Sequence, residues 1–270
     1  MKRVAFANIV DVKNLGDMHC NPGRIAVVRE ELAKVGWEAI PCDFRAVPTS
    51  CHAIVFGGGG MLHPGVDVHM AEMAKRFPCA TWGIGINYHN EHGPERRKWK
   101  ETLDAMSGPA TIRDPGYGRE TTPCPSCLDP RIEVALQQSM QTPPGWKARP
   151  LVIYHKEHPI NVPVTAPPPR MATNDCSTSF EEMLKLIGNS RAVYTNTFHG
   201  AYWALLLGVP AYIPADHMFS SRHYTALQYG AKQVGSISEV VETAKNPALQ
   251  AHQKEAFAQL FRIRAWLTRL

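Results

Sequence analysis

Short β-forming runs alternate with helical stretches along the whole chain, and a proline-rich break splits the alternation into two series. In the first, residues 4–10, 53–56, 80–86 and 110–112 read as strands, and residues 24–35, 66–77 and 94–106 as helices. Residues 121–150 then carry Pro123, Pro125, Pro130, Pro143, Pro144, Gly145 and Pro150 around one helical stretch, 132–140, which reads as an interdomain connection. In the second, residues 151–154, 170–172, 192–194 and 211–213 read as strands. A helix opens after Ser177-Thr178-Ser179, with Glu181 and Glu182 in its first turn, which is good N-cap chemistry. Helical material runs to the end, with Phe257, Leu260, Phe261 and Ala265 at helical spacing. Strand–helix alternation of this kind builds a parallel sheet covered by helices on both faces. Two such series predict an α/β protein of two Rossmann-like domains facing across a cleft, residues 1–145 and 146–270. The last helix is expected to pack back on the first domain. Ligands of such folds bind at the carboxyl ends of the strands.

Composition bounds the partners. The 270 residues are 44% hydrophobic and 20% charged, ordinary for a soluble globular chain. No apolar run approaches the ~20 residues that span a bilayer. The start, MKRVAFANIVDV, is basic, but Asp11 cuts its apolar stretch short, so it reads as a first strand rather than a signal peptide. A cytoplasmic enzyme, or one lying against the inner membrane face, is expected. Seven scattered cysteines argue for reduced thiols. A net charge of +5 reads as a mildly basic solvated surface; it suits phosphates, nucleotides or acidic glycans and permits nucleic acid.

The conspicuous motifs fall where strands end. Asn14-Leu15-Gly16-Asp17 follows the first strand and reads either as a ligand-approach loop, with Gly16 admitting a close contact, or as an ordinary Asx turn. Gly57-Gly58-Gly59-Gly60 follows the strand at 53–56. Four glycines are costly in conformational entropy, so the run points to a backbone that contacts a ligand, with a flexible hinge as the alternative. Its spacing matches neither a Walker loop nor a dinucleotide fingerprint. Gly83-Ile84-Gly85-Ile86-Asn87 ends another strand, with His89 and His92 nearby. In Ile112-Arg113-Asp114, Arg113 has the forked geometry to clamp a carboxylate or phosphate, or forms a structural turn with Asp114. Cys124-Pro125-Ser126-Cys127 is a lone C-x-x-C between prolines and reads as a rigid loop; no metal and no cofactor is expected.

The strongest candidate lies in IGNSRAVYTNTFHGAYWALLLGVP, residues 187–210. A β run ends in Thr195-Asn196-Thr197 and turns through Phe198-His199-Gly200 into an apolar helix stopped near Gly208 and Pro210. The helix's first N–H groups and its positive dipole end then lie beside His199. An imidazole with an ordinary pKa near ~6.5 suits proton transfer to a bound anion. Downstream, Asp216-His217 and Ser220-Ser221-Arg222-His223-Tyr224 supply polar groups that fit a donor- or acceptor-contacting loop or a plain surface turn.

In order, these motifs (N-x-G-D, GGGG, G-x-G, R-D, then S-R-A-V-Y-T-N-T-F-H-G-A with G-V-P) resemble the polysaccharide pyruvyl transferase family from Asn14 to Pro210. The resemblance implies a glycosyltransferase-B-like fold and transfer of an enolpyruvyl-derived group from phosphoenolpyruvate to a sugar hydroxyl, forming a ketal. It implies His199 as acid or base and Arg113 as a donor clamp. Asn14, Gly16, Asp17, Gly58, Gly59, Gly60, Asn196, Thr197, Gly200 and Arg222 are the further donor or substrate candidates. One departure bears on the donor: Thr197 stands where well-studied members carry arginine. A lost bidentate anion clamp is worth ~1.5–3 kcal/mol, with Arg191, Arg222 or Arg170 as conceivable substitutes. The alternatives are a glycosyltransferase with a nucleotide-sugar donor, acting on a glycan or a modified nucleobase in DNA, and a non-catalytic sugar- or nucleotide-binding protein.

Overall fold

A computed structural model describes residues 1–11, 13–86, 95–115, 118–143, 147, 149–155, 157–160, 168–215, 221–235 and 247–270, without the side chains of 95–98 and 221–224. Its contacts divide the chain into two units. The first comprises Met1–Asp11, Asp17–Asp129 and His252–Leu270, and the second Val12–Gly16 and Pro130–Ala251.

In the first unit β1 (Lys2–Asn8) leads into the short α1 (Leu15–His19), whose first two residues belong with the second unit. Then come α2 (Ala26–Ala33), β2 (Trp37–Asp43), β3 (Ala53–Gly57), α3 (Val66–Ala74), β4 (Cys79–Ile84), α4 (Glu95–Asp104) and β5 (Ala110–Ile112). The strands form one sheet in the order β2-β1-β3-β4-β5, every pairing parallel. All of β3 and β4 is buried, as a parallel sheet covered on both faces requires. Ile54, Phe56, Met70, Trp99 and Ile112 join a core between sheet and helices, each apolar side chain worth ~1.5–3 kcal/mol when fully buried.

The second unit runs through α5 (Pro130–Gln141), β6 (Leu151–Tyr154), β7 (Arg170–Thr173), α6 (Phe180–Gly188) and β8 (Val193–Thr195). It continues with α7 (Phe198–Leu206), β9 (Ala211–Pro214), α8 (Ser221–Gln228), β10 (Lys232–Val234) and the start of α9 (Leu249–Thr268). Its sheet, β10-β9-β8-β6-β7, is also parallel throughout. Ser179 caps α6 by accepting from the Glu182 amide at 3.2 Å. The body of α9 belongs to the first unit. There Gln259 Nε2 donates to the Thr81 carbonyl at 3.0 Å, and Trp266 lies so close to Gly108 that a Cβ there would meet its ring at 2.6 Å.

The fold is therefore α/β, two Rossmann-like units each on a parallel sheet. The helix expected over 24–35 is instead a 3-10 turn, Pro22–Arg24, followed by α2, because Asn21 caps the turn through the Gly23 amide. Among the described residues no helix is long and apolar enough to cross a membrane.

Candidate active site

Polar residues at the end of β8 build the turn into α7. Thr195 Oγ1 accepts from the Thr197 amide at 3.0 Å, and the two hydroxyls lie 2.9 Å apart. Thr197 is the N-cap: its Oγ1 accepts from the Gly200 amide at 3.1 Å, which satisfies one of the helix's first donors. That cap is why a threonine fits here; the longer arginine side chain has no oxygen with which to do the same. Gly200 is required by space, since a Cβ would come within 2.6 Å of Thr197 Oγ1 and 2.8 Å of Thr195 Oγ1.

His199 is the second residue of α7. Phe198 and Gly200–Leu206 are all buried, whereas His199 is half-buried. The rings of Phe198 and Trp203 lie 5.2 Å from its own, centroid to centroid. Gly16, from the segment that belongs with this unit, closes a further side. A Cβ on Gly16 would sit 2.1 Å from His199 Nδ1. From the sequence Gly16 is expected to admit a ligand; the neighbour the structure places against it is the His199 imidazole. Asn14 makes the expected Asx turn, its Oδ1 accepting from the Gly16 amide at 3.0 Å, and the Leu15 amide donates to the Asn174 carbonyl at 2.7 Å. Asn196 spends its amide on the chain after β6: Oδ1 accepts from the His155 amide at 2.9 Å and Nδ2 donates to the His158 carbonyl at 2.7 Å.

Asp17, Gly58, Gly59, Gly60 and Arg113 lie in the first unit, in the segments that follow its strands. Gly58 and Gly59 adopt φ of 72° and 66°, the left-handed region that favours glycine. A Cβ on Gly58 would lie 2.1 Å from the Cys20 carbonyl, and one on Gly59 would lie 3.4 Å from Asp17 Oδ1. Much of the demand for glycine in this run thus comes from its own unit, and Gly60 beside it is half-buried. Arg113 is 2% exposed, packs against Gly85, and places Nε 3.6 Å from Asp114 Oδ1. Asp114 also accepts from the Ile86 amide. The Arg113 charge pulls the Cys20 and Cys124 thiols downward, but burial outweighs it and holds both above the usual range, Cys20 furthest. Cys124 and Cys127 are buried around a 3-10 turn, Pro125–Leu128, and the raised Cys124 thiol is a poor nucleophile.

Arg191 and Arg170 lie at the amino ends of β8 and β7, the opposite end from His199, and so do not replace a clamp at the turn. Arg222 is in α8 with its side chain outside the described residues, as are those of His223 and Tyr224. Asn87, His89, His92, Asp216, His217 and Ser220 also lie outside them. Sequence reasoning passed over His155, Glu157 and His158, although the H-x-E-H pattern directly after a strand was there to read.

No curated protein matches the sequence. Among solved structures, the UDP-GlcNAc 2-epimerase of Methanocaldococcus jannaschii, in complex with UDP-GlcNAc and UDP, superposes with a TM-score of 0.56 at 10% identity, covering 97% of this chain and 99% of that one. The UDP-GlcNAc 2-epimerase of Neisseria meningitidis, bound to UDP-GlcNAc, gives 0.52 at 9% identity, covering 96% and 100%. The glycotransferase of kitacinnamycin gives 0.50 at 11% identity, covering 99% and 98%. At such identities the likeness is one of fold, the glycosyltransferase-B-like class. The sequence itself matches the family described as polysaccharide pyruvyl transferase over residues 23–213, well over half of the chain. A chain of that fold class whose sequence matches the family over residues 23–213 belongs to the polysaccharide pyruvyl transferase family and is a transferase that modifies saccharides.

Proposed function

We propose that this protein transfers the pyruvyl group of phosphoenolpyruvate to a saccharide, with His199 as the acid/base. The observation that carries the reading is His199 itself, the one half-buried residue at the start of a helix whose next seven residues are buried. The reaction consumes two acceptor hydroxyls. Protonation of the phosphoenolpyruvate methylene carbon makes C2 electrophilic, and one hydroxyl oxygen bonds to it. The second hydroxyl then displaces phosphate, leaving a ketal; one hydroxyl proton restores the imidazole and the other leaves with the phosphate as hydrogen phosphate. The positive end of α7 favours the anionic donor beside that ring. On this reading Gly16 fixes the ring, and Thr197, Asn196 and Gly200 shape the turn. Asn14, Asp17, Gly58, Gly59, Gly60 and Arg113 shape the strand-end loops, and Arg222 contacts the donor.

Thr197 in place of arginine favours one second reading, a nucleotide-sugar donor; two epimerases of the same fold class are described as bound to the nucleotide sugar UDP-GlcNAc. Thermal-shift titration separates the two. A ligand at a hundredfold its dissociation constant adds ~2.7 kcal/mol to stability. Stabilisation by phosphoenolpyruvate, with none by UDP, GDP or CMP sugars, is expected; the reverse result overturns the pyruvyl reading.

A further inference from the structure

The chain turns back sharply where β6 ends. His155 and His158 form an antiparallel bridge, with the His158 amide donating to the His155 carbonyl at 2.9 Å. Asn196, 6% exposed, grips both corners of this turn through the two bonds described above. The backbone at each histidine is therefore anchored, and the two side chains leave from fixed positions. Their rings lie 5.4 Å apart with planes 32° from each other. One ligand atom each from His155, Glu157 and His158 lies within 4.8 Å of the other two, a grouping of three found only here among the described residues.

We propose that this turn binds a divalent cation of the zinc and cobalt class, held by His155, Glu157 and His158. Two imidazole nitrogens and one carboxylate oxygen suit borderline ions, whereas calcium and magnesium require oxygen ligands. Bonds of ~2.0–2.1 Å in tetrahedral geometry place ligand atoms about 3.3 Å apart, so the group must close by at most about 1.5 Å. Glu157 and His158 are exposed and have the rotamer freedom to do so, while His155 is half-buried and supplies the fixed point. The Glu157 amide donates to His155 Nδ1 at 3.3 Å, a long bond that costs little to exchange for a metal bond. Three protein ligands leave a fourth position for water or a substrate oxygen. Asn196 lies three residues before His199, so an occupied site would stiffen the turn that carries the proposed acid/base. The proposal does not depend on which donor the enzyme uses.

The test is cobalt(II) titration of the full chain, free of any affinity tag and stripped with chelator, followed by visible absorption and calorimetry. One equivalent should bind with a ligand-field spectrum lacking a thiolate charge-transfer band. Glu157→Gln and His158→Gln, both at exposed positions, should each weaken binding at least tenfold without changing the melting temperature. Cys176→Ser, which removes the one exposed thiol among the described residues, should leave it unchanged. The proposal is overturned if Glu157→Gln and His158→Gln bind cobalt as tightly as the parent. A thiolate band, or no uptake by the parent at millimolar cobalt, overturns it equally.

Discussion

Replacing Gly16 by alanine tests whether the wall behind the imidazole matters. Gly16 lies in α1 outside the left-handed region, so its backbone accepts alanine, and propensity alone predicts a gain of up to ~1 kcal/mol. The new Cβ would sit 2.1 Å from His199 Nδ1, 2.7 Å from Cγ and 2.9 Å from Cε1, against an ordinary contact of 3.4 Å or more. Nδ1 must therefore withdraw by about 1.3 Å, and Phe198 and Trp203 hem the ring in as it does. A forced off-rotamer side chain costs ~0.5–1.5 kcal/mol, which roughly cancels the helical gain. A displacement of this size at a reacting group costs about a hundredfold in rate. Phosphate release from phosphoenolpyruvate with a saccharide acceptor should fall about a hundredfold, with little change in denaturant midpoint. NMR should show a shifted His199 Cε1–H resonance. A Gly16→Ala protein that is ~1 kcal/mol more stable, fully active and unshifted would refute the contact.

Two further outcomes are expected. Thr197→Val removes the N-cap and should cost ~1 kcal/mol in urea unfolding, while Thr197→Ser should restore most of it. Burial holds His252 down at about 4, below the unfolded imidazole near ~6.5. The unfolded chain therefore takes up a proton that the folded chain refuses, and stability present above pH ~6.5 is lost as pH falls toward 4, by about 3 kcal/mol at most. His252→Gln should flatten that slope in calorimetry across the same window.

The interior of each sheet was legible because burial on both faces leaves continuous apolar runs, as in β3 and β4. The two strands that sequence reasoning missed, β2 and β10, are both edge strands. β2 carries Pro41 and is mostly half-buried, and β10 exposes Lys232 and Gln233, so neither shows an uninterrupted apolar run. The turn around His199 was legible from its cap residues, its glycine and the apolar helix behind it. What the turn touches was not. Local pattern cannot show that Gly16 meets His199, or that Asn196 holds His155 and His158, because those pairs meet only once strands far apart in sequence are aligned. Arg113 illustrates a different limit: an arginine at a strand end has the same sequence signature whether it faces solvent or, as here, packs against Gly85 and Asp114.

The most direct measurement of the central claim is turnover of His199→Asn, which keeps a polar side chain of similar size but cannot transfer the proton. Phosphate release from phosphoenolpyruvate is followed across a panel of saccharide acceptors, with the melting temperature recorded for each protein. The account predicts that the parent turns over with at least one acceptor. The variant should lose ~10²–10⁴-fold in rate with its melting temperature nearly unchanged. Turnover by His199→Asn at the parent's rate would contradict it.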